Sequence, residues 1–131
     1  MIQYIMYILI CKTEAVKTEI SEEIMLDRYK ICVGLNDSTT DIQNFDTSKY
    51  IKVIEYVCKN NNMAFSLEQM RGGYCYENGS FTTENSLGIT LINVTKEQAN
   101  ELASELCAMF NQESVLIFHD KVGAYYLADK I

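Results

Sequence analysis

The hydrophobic and polar positions change period along the chain, and the changes divide it into elements. An apolar, β-branched and aromatic run from Met1 to Ile10 predicts a strand, and the charged stretch Lys12 to Glu23, lacking a wide apolar stripe, predicts a loop or marginal surface helix. Tyr29-Lys-Ile-Cys-Val-Gly-Leu35 alternates as a strand does and runs into the turn formers Asn36-Asp-Ser-Thr-Thr40. Ile51, Ile54, Val57 and Cys58 recur at helical spacing after Asp46-Thr-Ser48, whose side-chain oxygens suit a helix start, and Lys59-Asn-Asn-Asn62 ends the run. Between Ala64 and Val94 the period falls to two around Glu77-Asn-Gly-Ser80, which predicts a long hairpin closed by a two-residue type I′ turn at Asn78-Gly79. Thr95-Lys-Glu-Gln98 reads as a capping box, followed by a helix whose apolar stripe is Ala99, Leu102, Ala103, Leu106, Met109 and Phe110, with Asn111 at its end. Glu113 to Phe118 predicts a strand, and Val122 to Leu127 its hairpin return after His119-Asp-Lys121.

This order, with the predicted strands flanking it, gives an α+β ferredoxin-like βαββαβ core. Its antiparallel sheet carries two helices on one face and has extra N- and C-terminal strands. A single domain is expected, with residues 1–28 an extension, 29–118 the core and 119–131 a C-terminal strand. The face away from the helices is where a ligand is expected.

The hairpin register decides what that face carries. A two-residue turn sets Arg71 opposite Ser86 and Gly73 opposite Glu84, and gathers Gln69, Arg71, Glu84, Ser86 and Thr90 on the polar face. Phe65 and Leu67 then point the wrong way, so a bulge at Gly72-Gly73 is predicted to restore them to the core. Arg71 and Glu84 either pair as an exposed salt bridge or form part of a site. In the second case Arg71 grips a phosphate or carboxylate as a fork, Tyr74, Tyr76 or Phe81 stacks on a planar ring, and Asn85 or Gln112 hydrogen-bonds it, beside Glu84 and Ser86.

Composition narrows the classes. The 131 residues include 48% hydrophobic and 22% charged positions, enough for one core without disulfide or metal support. A net charge of -7 and only two arginines, Arg28 and Arg71, argue against a duplex nucleic-acid binder. The apolar N-terminal run falls short of the ~20 residues of a membrane span and lacks a basic signal-peptide region, so neither anchor nor leader is expected. Five widely spaced cysteines without a C-x-x-C pair read as reduced core residues in a cytoplasmic protein, and a metal site or cofactor is not expected. His119 is the sole histidine, expected as a solvated or capping imidazole, and neither a nucleophile elbow nor a phosphate-binding Gly-rich loop occurs.

Three stretches carry a resemblance: Tyr29 to Leu35, the Gly72-Gly-Tyr74 hairpin with Glu84-Asn-Ser86, and Phe110-Asn-Gln-Glu-Ser-Val-Leu116. From Tyr29 to Ile117 the chain resembles a small bacterial and phage family catalogued as a domain of unknown function, which implies a small α/β fold and no established catalytic residue. In length, acidity and lack of a catalytic constellation it is more loosely similar to phage anti-Thoeris sponges, which bind cyclic ADP-ribose or cyclic oligonucleotide signals without cleaving them. The expectation is therefore a non-enzymatic, homo-oligomeric binder of a small nucleotide-like ligand, in the host cytoplasm if phage-encoded. Two alternatives stay open: a small enzyme using Glu84, His119 or a tyrosine for proton transfer, and an interaction module that blocks a host protein.

Overall fold

The computed structural model describes residues 4–8 and 17–130. In chain order the elements are β1 (Tyr4–Ile8), β2 (Lys17–Ser21), β3 (Ile24–Gly34), β4 (Asn36–Asp37), β5 (Ile42–Gln43), α1 (Thr47–Asn60), β6 (Phe65–Cys75), β7 (Phe81–Ile92), α2 (Lys96–Met109), β8 (Leu116–Ala124) and β9 (Leu127–Lys130). The chain divides into two compact units, Asp27–Asp120 and the described residues on either side of it.

In the larger unit the sheet order is β6-β7-β3-β8, with β7 antiparallel to both β6 and β3, the arrangement of the split βαβ pattern. The expected α+β ferredoxin-like fold is thus present. Alternation in β3 buries Tyr29, Ile31 and Val33, and Leu87, Ile89 and Leu91 of β7 join them. Against this face α1 packs Tyr50, Ile54, Val57 and Cys58, and α2 packs Ala99, Leu102, Ala103 and Leu106. Burial of these stripes, rather than helix propensity, holds both helices in place.

The helix ends follow local chemistry closely. Thr95 accepts from the Gln98 N–H while the Gln98 side chain accepts from the Thr95 N–H, so the predicted capping box forms. Asp46 is the N-cap of α1, but its side chain makes no capping bond. Both helices finish in a Schellman arrangement built on an asparagine at positive φ. Asn62 (φ 53) donates to Lys59 O and Met63 to Cys58 O; Asn111 (φ 48) donates to Ala108 O and Gln112 to Cys107 O.

The hairpin departs from expectation by one residue. Gly79 N–H donates to Tyr76 O and Tyr76 N–H to Ser80 O, so the loop has three residues, Glu77-Asn-Gly79. Gly79 alone in it has positive φ (88), which is a turn followed by a left-handed residue rather than type I′. Arg71 therefore faces Asn85, Gly72 faces Glu84, and Phe65 and Leu67 face Leu91 and Ile89. Pairing runs unbroken from Phe65 to Cys75, so the predicted bulge at Gly72-Gly73 is absent. The longer turn had already moved Phe65 and Leu67 onto the core face.

Other expectations are corrected too. Of Met1 to Ile10 only residues 4–8 are described, and they form β1; residues 12–16 lie outside the described residues. Lys17–Ser21, expected as loop or helix, is a strand, because β1 and β9 pair antiparallel with its two edges. Ser21 anchors that unit: its N–H donates to Tyr126 O at 2.8 Å and its hydroxyl accepts from Tyr126 N–H at 2.6 Å. β8 continues through His119-Asp-Lys121 instead of turning there, so Val122 to Ala124 extends the strand and does not return. Among the described cysteines only Cys58 is fully buried, its thiol pushed up to about 11 by desolvation. Cys32 and Cys107 are partly buried, Cys75 is exposed, and Cys11 lies outside the described residues. No helix among the described residues is long and apolar enough to cross a membrane.

Candidate functional site

The one-residue register change separates the residues that sequence reasoning had gathered. Arg71 shares a face with Leu67, Asn85 and Leu87, whereas Glu84 and Ser86 share the other with Gly72 and Met70. Arg71 and Glu84 therefore do not pair. The Arg71 guanidinium instead donates to Asn85 Oδ1 at 3.0 Å and Thr83 Oγ1 at 2.9 Å, and Asn85 Nδ2 donates to Gln43 Oε1 at 2.9 Å. Arg71 thus braces the two strands of the hairpin, and Asn85 ties them to the β5 segment. Phe81 is exposed and pairs across from Cys75, apart from Tyr74 and Tyr76.

Tyr74, Tyr76, Glu84 and Gln112 do come together, in a cleft of about 620 Å³ between the hairpin, the segment Asn36–Asp41 and the turn after α2. Its volume is in the range of small-molecule sites. The tyrosine hydroxyls lie 3.0 Å apart, with the rings edge to face at 5.0 Å between centroids. That hydrogen bond, with lesser help from partial desolvation, pushes the Tyr74 phenol up to about 12. The Glu84 carboxylate lies over Gly34, where a Cβ would come within 2.5 Å of Oε1, and its Oε2 accepts the Asn36 N–H at 3.0 Å. Asp41 and Glu113 add two carboxylates, and among the described residues no lysine, arginine or histidine lines this cleft.

The wall of the cleft is tied to the end of α2. Asn111 Nδ2 donates to Asp37 Oδ1 and Thr39 Oγ1, and Ser38 N–H donates to Asn111 O. The Thr39 N–H and the Asn111 amide, both donating to Asp37, hold its carboxyl below the ordinary range. Gln112 Nε2 donates to Asn36 O. Sequence reasoning missed Asn36, Asp41 and Glu113; the turn cluster from Asn36 was legible only as a loop, and its position over the hairpin arises from contacts distant in sequence.

A second cleft of about 500 Å³ lies over the sheet face opposite the helices. Arg28 donates to both Asp120 oxygens at 3.0 and 2.7 Å, and Lys30 pairs with Glu68. His119, expected near a turn, sits within β8, with its ring stacked on Tyr29 at 4.3 Å and Nε2 2.9 Å from Asp27 Oδ1. Among the described residues no cluster of His, Cys, Asp and Glu suits a metal ion.

Comparison with solved structures supplies the context of this architecture. A phage SAM lyase in complex with S-methyl-5′-thioadenosine matches with a TM-score of 0.59 and 24% identity over 79% of this chain and 88% of that one. The periplasmic divalent cation tolerance protein CutA from Archaeoglobus fulgidus matches at 0.51 with 10% identity over 74% and 83%. Bacillus subtilis GlnK in complex with ATP matches at 0.50 with 10% identity over 75% and 82%. These likenesses establish the shared fold. No family model and no curated protein matches the chain, so the resemblance to a family of unknown function has no support. The expectation of a non-enzymatic protein is also overturned, because a lyase shares this fold along most of both chains.

Proposed function

We propose that the protein is a small enzyme that cleaves a sulfonium nucleoside of the S-adenosylmethionine class, acting in the cytoplasm of a phage-infected host. The observation that carries this reading is the chemistry of the larger cleft: three carboxylates and two tyrosines without a basic side chain. Such a lining repels phosphate and attracts a cation, and its aromatic rings suit an adenine or a sulfonium methyl. S-adenosylmethionine combines a positive sulfur with a planar base, and the phage lyase of the same fold holds its thioether counterpart. The nucleotide-sponge reading needed Arg71 as a phosphate fork, but Arg71 is engaged on the other face of the hairpin.

In the reaction the substrate's own carboxylate attacks the side-chain carbon bonded to sulfur as that carbon–sulfur bond breaks, so its electron pair returns to sulfur, leaving a neutral thioether, and the amino-acid fragment closes to a lactone. The carboxylates hold the charged reactant and orient it; because the positive charge fades as the bond breaks, they contribute mainly to substrate affinity. Tyr74, kept protonated, donates a hydrogen bond rather than taking a proton. The deciding experiment incubates the purified protein with S-adenosylmethionine and follows products by mass spectrometry. Formation of S-methyl-5′-thioadenosine is expected; intact recovery of the substrate, bound or free, overturns the reading.

Self-association through the sheet face opposite the helices belongs to the same proposal. In a chain of net charge -7, the part of this face around the second cleft pairs Arg28 and Lys30 with Asp120 and Glu68, so these four charges balance, and Phe118 stands exposed among them. Sedimentation at rising concentration should give a multiple of 15.0 kDa; a monomer throughout excludes it.

A further inference from the structure

Resting on the sulfonium reading, we propose that Gln112 is a positioning residue that aims the Glu84 carboxylate at the substrate's positive charge through the peptide groups of Asn36. The N–H of Asn36 donates to Glu84 Oε2 at 3.0 Å, and its C=O accepts from Gln112 Nε2. Asn36 is therefore gripped on both sides, one grip fixing the other. Gln112 is itself held: its N–H closes the Schellman cap on Cys107 O at 2.9 Å, and its C=O accepts from the Cys107 thiol at 3.1 Å. The backbone of Gln112 is thus anchored by α2, and only its side chain reaches across to the wall of the cleft.

Gly34 completes the arrangement from below. Without a side chain it leaves the space that the Glu84 carboxylate occupies; a Cβ there would lie 2.5 to 2.6 Å from the carboxylate atoms. The conflict is with the far end of a flexible side chain, and Gly34 is not at positive φ, so an alanine displaces the carboxylate without straining the backbone. Two substitutions far apart in sequence, Gln112→Ala and Gly34→Ala, are therefore predicted to disturb the same carboxylate by different routes.

The test compares two ligands of nearly the same shape. Sinefungin carries an ammonium where S-adenosylmethionine has its methylsulfonium and lacks that sulfur, and S-adenosylhomocysteine is the neutral thioether. Calorimetric titration of wild type, Gln112→Ala and Gly34→Ala is expected to show sinefungin weakened by roughly fivefold in each variant, the equivalent of one ordinary hydrogen bond, with S-adenosylhomocysteine unchanged. Equal loss for both ligands in both variants would make Gln112 merely structural and overturn the proposal, as would no change for either. If the wild type binds neither ligand, the sulfonium reading fails and this proposal falls with it.

Discussion

Glu84→Gln is expected to raise KM for S-adenosylmethionine by about 10- to 100-fold while kcat holds or rises. The amide keeps the shape of the side chain and an oxygen to accept the Asn36 N–H, so the cleft wall stays in place. What disappears is one negative charge facing the substrate cation, and interactions with a charged partner are worth roughly 1.5 to 3 kcal/mol. The loss falls on KM because the sulfonium charge is largest in the bound reactant and fades as the carbon–sulfur bond breaks. Steady-state kinetics over a range of substrate concentrations checks the split. A fall confined to kcat would place the carboxylate in the transition state instead. Arg71→Ala is the contrasting variant, because its guanidinium is committed to Asn85 and Thr83 on the other face of the hairpin; its KM should stay at the wild-type value, and an increase matching that of Glu84→Gln would return Arg71 to the site.

The largest effect on stability is expected from Ile89→Ala, at about 2–5 kcal/mol. Ile89 is fully buried at the centre of β7, between Ile31 on β3 and Leu67 on β6, in a core that includes both helices. Close packing on every side leaves little room for the neighbours to collapse into the space the side chain vacates, so the cavity term adds to the lost transfer energy. The check is a urea titration followed by circular dichroism, in which the midpoint should fall while the slope stays constant. Since Glu84 lies five residues away along the same strand, activity measured well below the lowered midpoint should persist. A loss under 1 kcal/mol would mean that the β7 centre is less tightly packed than its burial indicates.

Local chemistry was enough to read both helices, the Thr95 capping box, the Asn111 stop and the alternating strands of the core, because each depends on residues within one or two turns of each other. From these the ferredoxin-like order followed. Asn-Gly also marked the hairpin correctly, yet Asn-Gly is compatible with both a two-residue and a three-residue loop. Choosing between them needed the whole sheet: only the three-residue turn sets Phe65 and Leu67 on the core face without a bulge. That single residue of register then parted Arg71 from Glu84, leaving Arg71 bound to Asn85 and Thr83 and Glu84 in the acidic cleft. Tyr74, Tyr76, Glu84 and Gln112 were legible as candidates from their residue types, but Asn36 and Gly34 were not. Their roles depend on contacts to residues 76 and 50 positions away, and no periodicity in a single chain encodes such contacts. The strand at Lys17–Ser21 belongs with them, since its charged sequence favours no strand and only pairing on both edges makes it one. Short-range capping and alternation thus decided which elements form, and tertiary packing decided their register and therefore which side chains share a site.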